Sequence, residues 1–277
     1  MAKLDHERMA RPIGVFDFGV GGLTVTREII RVLPHEDLIF LNDNLNLLAG
    51  YKPEDVVRQD TITASQFLLQ HNLKTLVIAC NTATAVSLQH LRENCSIPVI
   101  GVIEPTARAA AETTRNGRIG VVGTNMTIRS NAYPRILKEL NQDFEITSQA
   151  CPLIVPMIEE GLLESEEIHQ VAGCYLKQFQ TKGIDTLILG CTHYSLIRSI
   201  IASLLPGVRL VDPAPLTAME LRRVLTTYCD LNSSHSAPRY VFYAADINEK
   251  VQRISKVAFG VEFPEIELCF QKADLQR

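Results

Sequence analysis

Apolar residues along this chain fall into short β-rich runs separated by longer stretches with helical spacing, and strand follows helix almost throughout. Residues 13–16 read as a strand running into a Gly-rich turn, and 23–32 as a helix that Pro34 stops. Strands are expected at 38–41, 75–79 and 99–103, with helices at 54–71 and 84–94 between them. The grammar continues with a helix from Thr106, a strand at 119–122, a helix at 130–140, a strand near 144–147 and a helix at 166–182. Residues 186–189, 196–204 and 208–211 follow as strand, helix and strand. Pro213-Ala214-Pro215 is expected to mark a crossover, followed by a helix at 216–228, a Ser/Asn-rich loop at 231–238 and a strand at 240–244. Strands alternating with helices of these lengths imply an α/β fold of parallel sheets with helices on their faces.

Parts of this pattern occur twice. Residues 75–82 (TLVIACNT) and 186–193 (TLILGCTH) each carry an apolar run that breaks into small polar residues at a cysteine, and IGVFD at 13–17 matches IGVVG at 119–123. Such a duplication predicts two pseudo-symmetric, doubly wound parallel-sheet domains with the active site in the cleft between them. The expected division is a disordered extension at 1–12, a first domain at 13–104 plus 214–277, and a second at 105–213. Ligands of open parallel sheets sit beyond the carboxyl ends of the strands. Asp17, Cys80, Gly123-Thr124 and Cys191 all fall at such ends and are expected to converge.

Composition narrows the chemistry. With 277 residues, 46% hydrophobic content and a net charge of −4, the chain can bury two ordinary cores and carries no overall basic field for nucleic acid or an anionic membrane. No apolar run is long enough to span a bilayer, and the first twelve residues lack the apolar centre of a secretory signal. Seven scattered cysteines with no C-x-x-C argue against a disulfide framework or a structural zinc and suggest a reducing cytoplasm. The histidines are dispersed, so no metal site is expected. The glycines after Asp17 run G-x-G-G behind a carboxylate that would repel a pyrophosphate, which disfavours a dinucleotide. No lysine in the cysteine motifs suits a pyridoxal Schiff base.

Cys80 follows a strand and precedes a helix, so backbone N–H groups are expected to lower its thiol pKa toward neutrality, and Cys191 repeats the placement. A lone cysteine there would by default be a buried structural one. Two at equivalent places favour a pair of reactive thiols. His193 is either a proton-handling neighbour of Cys191 or a cap. Asp17 either holds a substrate ammonium and orients a thiol, or caps the helix near Leu23. Of Glu159-Glu160, one carboxylate could reach the cleft, or both could form a solvated helix start. Two thiols across one cleft suit a reaction in which a proton leaves one face of a carbon and another arrives on the opposite face.

The segments IGVFDFGVGGLTV (13–25), LVIACNTATA (76–85), PVIGVIEP (98–105), IGVVGTNMTIRS (119–130), ACPLIVPMIEEG (150–161) and LILGCTHYSL (187–196) come in an order that resembles the glutamate racemases, part of the cofactor-independent aspartate/glutamate racemase superfamily. The resemblance covers residues 13–270. It implies two α/β domains closing over an amino acid, no cofactor, Cys80 as the base for the D-enantiomer and Cys191 as the base for the L-enantiomer. It further implies substrate contacts from Asn81, Thr82, Thr127, Thr192 and His193, assistance to the thiols from Asp17, Glu159 and His193, and substrate-facing positions at Asp17, Phe18, Ala49 and Gly50. The product would be D-glutamate for peptidoglycan and the cell wall, and a homodimer is compatible with the resemblance.

Two departures stand out. Asp17-Phe18-Gly19 replaces the usual Asp-Ser-Gly, and Leu48-Ala49-Gly50 replaces a Pro-Tyr-Gly loop, with Tyr51 one place later. They keep open a racemase for aspartate or another amino acid and a weakly active regulatory paralogue. A cysteine-nucleophile hydrolase would leave the second cysteine unexplained.

Overall fold

A computed structural model describes residues 7–228, 230–232, 236–260 and 268–275. Its strands are β1 (Ile13–Asp17), β2 (Leu38–Asn42), β3 (Thr75–Ile78), β4 (Val99–Gly101), β5 (Arg118–Gly123), β6 (Glu145–Ala150), β7 (Thr186–Gly190), β8 (Arg209–Val211), β9 (Tyr240–Ala244) and β10 (Phe270–Lys272). All pair in parallel. One sheet has the order β10-β9-β2-β1-β3-β4 and the other β6-β5-β7-β8. The run β2-β1-β3-β4 and the whole second sheet therefore share one topology, with β1 and β5 in matching central places. The repeated sequence segments thus fold into repeated structure, with β9 and β10 added at one edge of the first sheet.

Strands covered on both faces carry continuous apolar runs, and β1, β2, β3 and β7 are buried along their whole length. Because side chains alternate across a strand, Val15 and Phe16 of β1 enter apolar clusters on opposite faces of the first sheet. In the second sheet Leu187 and Ile188 of β7 divide in the same way.

Several boundaries differ from the expected ones for local reasons. The helix placed at 84 begins at once after Cys80, as Asn81–Asn94. Pro213-Ala214-Pro215 is no crossover but the first turn of helix Pro213–Thr227, where proline loses nothing by lacking an N–H and Asp212 accepts the Ala214 N–H at 3.0 Å. The helix expected at 130–140 is two pieces, Asn125–Arg129 and Ala132–Leu140, separated at Asn131, which takes the left-handed conformation at φ 55°. The strand near 144–147 runs Glu145–Ala150. After Cys191 the chain makes a 3₁₀ turn, Thr192–Ile197, before helix Arg198–Leu204.

Of the extension expected to be disordered, residues 1–6 lie outside the described residues, while 7–12 are tied down. Lys74, just before β3, has a fully buried side chain that bonds the Glu36 carboxylate, the Met9 carbonyl at 2.6 Å and the Asp230 carbonyl at 2.9 Å. Its backbone N–H reaches Pro12 O at 3.1 Å. Mixed charge and the lack of a continuous apolar stretch point to disorder, and over residues 7–12 a buried lysine that needs carbonyl partners overrides them. Residues 233–235 of the expected loop lie outside the described residues, as does Cys229. Among the described residues no helix is long and apolar enough to cross a membrane.

Lys74→Met should strand the Glu36 carboxylate in the interior and cost about 3–5 kcal/mol, read as a lowered urea midpoint. Lys74→Met combined with Glu36→Leu should recover most of that loss. A single variant as stable as the parent would show that the ammonium does not hold these segments together.

Candidate active site between the two sheets

β1, β3, β5 and β7 deliver Asp17, Cys80, Thr124 and Cys191 to one cleft, which encloses about 540 Å³ including its mouth. This lies within the range of small-molecule sites. Phe18, Ala49, Gly50, Asn81, Thr82, Thr192 and His193 line it as well. Thr127 and Glu159 stand one layer behind. The Thr127 hydroxyl lies 3.0 Å from Thr124 Oγ1 and 3.5 Å from Thr82 Oγ1. Glu159 sits under His193.

Around Cys80 the partner is Asp17. The backbone N–H of Gly19 donates to its Oδ1 at 3.0 Å, and the Thr192 hydroxyl, from the other sheet, donates to Oδ2 at 2.9 Å. Asp17 does not cap the next helix, which begins after Gly21 without a side-chain cap. The glycines have a different use from the one a dinucleotide would demand. A Cβ on Gly19 would come within 2.6 Å of His193 Cε1, and one on Gly21 within 2.4 Å of Thr192 Oγ1, so only glycine lets the two loops meet.

Burial pushes the Asp17 carboxyl up to about 6, although His193, the Thr192 hydroxyl, the Gly19 N–H and Cys80 all pull it back. The expected lowering of the Cys80 pKa does not occur. Burial first, and then the negative charge of Asp17, drive it well above its ordinary value, and the N–H groups of Ala83 and Phe18 offset them only in part. Cys80 therefore rests as a thiol.

Around Cys191 the partners are His193 and Glu159. Cys191 Sγ lies 3.9 Å from His193 Nδ1, and His193 Nε2 lies 2.7 Å from Glu159 Oε1. Burial opposes charge on the imidazole, but the Cys191 sulfur and the Glu159 carboxylate raise its pKa well above the ordinary value. As an imidazolium it donates to both. Glu159, at the end of helix Ile154–Glu159, is buried, whereas Glu160 points out to Lys250 Nζ at 2.5 Å. The solvated-charge reading of this pair thus fits Glu160 alone.

Three site residues had no role from sequence. Thr124, expected at the cleft from its strand-end place, bonds Thr82 Oγ1 at 2.8 Å and caps helix Asn125–Arg129. The Tyr51 hydroxyl donates to Pro152 O at 2.9 Å, joining the two walls of the cleft. Tyr133, inside an amphipathic helix, donates to Asn81 Oδ1 at 2.7 Å, and no local pattern distinguishes it from a core tyrosine. A third thiol, Cys151, also lines the cleft, with its pKa pushed up to about 12 by burial.

The family profile described as Asp/Glu/Hydantoin racemase matches residues 13–221. The glutamate racemase of Geobacter metallireducens is 40% identical over 257 residues, 92% of this chain and 95% of its own length. A crystal structure of the Francisella tularensis glutamate racemase in complex with D-glutamate matches with a TM-score of 0.90 at 34% identity, covering 97% of this chain and 99% of that one. A Bacillus anthracis glutamate racemase isoform matches with a TM-score of 0.89 at 38% identity, covering 96% and 98%.

The buried acid gives a signed pH dependence. Asp17 titrates near 6 when folded against 3.8 in the unfolded chain, so between those values the folded state holds the extra proton and stability falls as pH rises. The contribution is about 3 kcal/mol at most. His193 acts in the same direction at higher pH, its contribution being present below 6.5 and lost as pH rises through its raised folded pKa. Urea unfolding of Asp17→Asn should lose the falling slope between about pH 4 and 6. A slope equal to the parent's would remove Asp17 as its source.

Proposed function

Because the chain belongs to the Asp/Glu/hydantoin racemase family and falls among its glutamate racemases, we propose that it interconverts L- and D-glutamate by a cofactor-independent route with two cysteine bases. The observation that carries this reading is the pair of thiols. Cys80 and Cys191 leave matching strands of two equivalent sheets, line one cleft, and each has an acid–base group of its own half beside it.

In the L-to-D direction the Cys191 thiolate removes the α-proton, and the Cys80 thiol delivers its proton to the opposite face of the carbon. His193, held as an imidazolium and braced by Glu159, donates to the Cys191 sulfur and stabilises its thiolate. Asp17 takes up and returns the proton at Cys80 in the reverse direction, and its pKa near 6 lets it do both around neutrality. Among the described residues that line the cleft there is no lysine or arginine. Substrate carboxylates are accordingly held by neutral donors such as Asn81 and Thr82, which fix the α-carbon between the sulfurs without adding a competing charge, while the Thr192 hydroxyl, spent on Asp17, holds that carboxyl in place. The enzyme supplies D-glutamate for peptidoglycan and works in the cytoplasm.

A second reading, preference for an amino acid with a less polar side chain, draws on Phe18. Its ring packs edge-on against Phe16 at 4.9 Å between centroids, in an apolar cluster that also contains Ala49 and Cys80. The two departures from the family pattern are therefore complementary in volume, large at 18 and small at 49.

Cys80→Ser and Cys191→Ser should each abolish racemisation, because a serine hydroxyl cannot serve as the base at neutral pH. In D₂O each variant should still exchange the α-proton of one enantiomer only, opposite in the two variants. Racemisation near the parent rate in either would sink the two-base assignment. Phe18→Ser with Pro-Tyr-Gly at residues 48–50 should raise kcat/KM for glutamate about tenfold, equivalent to roughly 1–2 kcal/mol. Phe18→Ser alone should instead lose about 3 kcal/mol or more of stability to the cavity it opens. A parent that turns over another amino acid faster than glutamate, and is slowed on it by the combined change, would decide for the second reading.

A further inference from the structure

Asn81 is the first residue of its helix, 2% exposed, and lines the cleft directly after Cys80. Its amide has two ends. Oδ1 accepts the Tyr133 hydroxyl at 2.7 Å, while Nδ2 is buried and finds no hydrogen-bond partner among the described residues. A buried donor left in this state costs free energy unless something in the cleft accepts from it. An asparagine amide can turn end for end at little steric cost, so its direction depends on its fixed neighbour. That neighbour comes from the other half of the molecule. Tyr133 belongs to helix Ala132–Leu140 beside the second sheet, is 1% exposed, and lies so close to Gly190 that a Cβ there would stand 3.2 Å from its Cε2. Thr106, the other polar group next to the phenol, already spends its own proton on Val102 O at 2.5 Å. Burial raises the phenol's pKa above its ordinary value, so it stays a neutral donor at any working pH.

We propose that Tyr133 is a positioning residue for the racemisation: by donating to Asn81 Oδ1 it turns the Asn81 amide so that Nδ2 faces the substrate carboxylate, and its ring supports the backbone before Cys191. One side chain then orders the residue that follows Cys80 and the residue that precedes Cys191. This inference rests on the glutamate racemase reading and on Asn81 as a substrate contact.

The experiment is a double-mutant cycle in kcat/KM for L- and D-glutamate. Tyr133→Phe keeps the ring against Gly190, and it should lower kcat/KM about five- to tenfold in both directions, the size of one lost orienting hydrogen bond. In an Asn81→Ala background the same change should have no further effect. A purely structural tyrosine would give an equal loss in both backgrounds, and that result, or no loss in the single variant, overturns the inference. Asn81→Asp adds a check on the amide's direction, since a carboxylate facing the substrate carboxylate should be worse than alanine, and a better result than alanine overturns it. If Asn81→Ala leaves kcat/KM unchanged, the Asn81 contact falls and the inference with it, whereas failed turnover of either glutamate enantiomer by the parent would strike the racemase reading itself.

Discussion

The hydrogen bond from Thr192 to Asp17, and the glycine turn that permits it, is the contact on which the rest of the site depends. It joins the first strand of one sheet to the loop after the third strand of the other. With the two loops at this distance, Asp17 is buried beside Cys80 and His193 beside Cys191. A Cβ at Gly19 or Gly21 would collide with His193 or Thr192, so the loops could not keep this approach. The same approach that excludes water also sets the acid–base properties of the cleft, because burial is the largest influence on both Asp17 and Cys80.

The halves repeat in topology but not in proton chemistry. One thiol faces a carboxylate whose pKa is raised, and the other faces an imidazole held charged by a buried glutamate. A carboxylate next to Cys80 keeps that group protonated and ready to give a proton. A cation next to Cys191 stabilises a sulfur that has lost one. Burial and the Asp17 carboxylate thus keep Cys80 a thiol, while a cation lies beside Cys191, so the two sides of the cleft differ in charge.

Sequence alone conveyed the parallel sheets, the duplication and the convergence at strand ends, because alternation of strand and helix and the place of a cysteine are local properties. It misjudged the Cys80 pKa because helix N–H groups can be read from neighbouring residues, whereas burial and the approach of Asp17 are products of the assembled fold. Glu159 was ambiguous for the same reason: it differs from Glu160 only in the direction it faces at the end of a short helix. Pro213 misled because a proline that ends one element and one that begins the next look alike without the cap at Asp212 in view. Tyr133 carried no signal and Tyr51 only its shifted place in the 48–51 loop, since each acts through a partner distant in sequence, Asn81 and Pro152.

The bonds between the two halves differ in how much water can compete for them. Tyr51 is 53% exposed, so its bond to Pro152 O exchanges readily with solvent and contributes about 1 kcal/mol or less. Thr192–Asp17 and Tyr133–Asn81 are buried, and breaking them without replacement leaves unsatisfied groups at a higher cost. The 49–51 turn, where Gly50 packs against Thr124, is therefore the part of the contact between the halves that water reaches most readily. Tyr51 thus sets its hydroxyl at the rim, bonded to Pro152 O, while Ala49 shares an apolar cluster with Phe18, so both positions bear on the same mouth of the cleft.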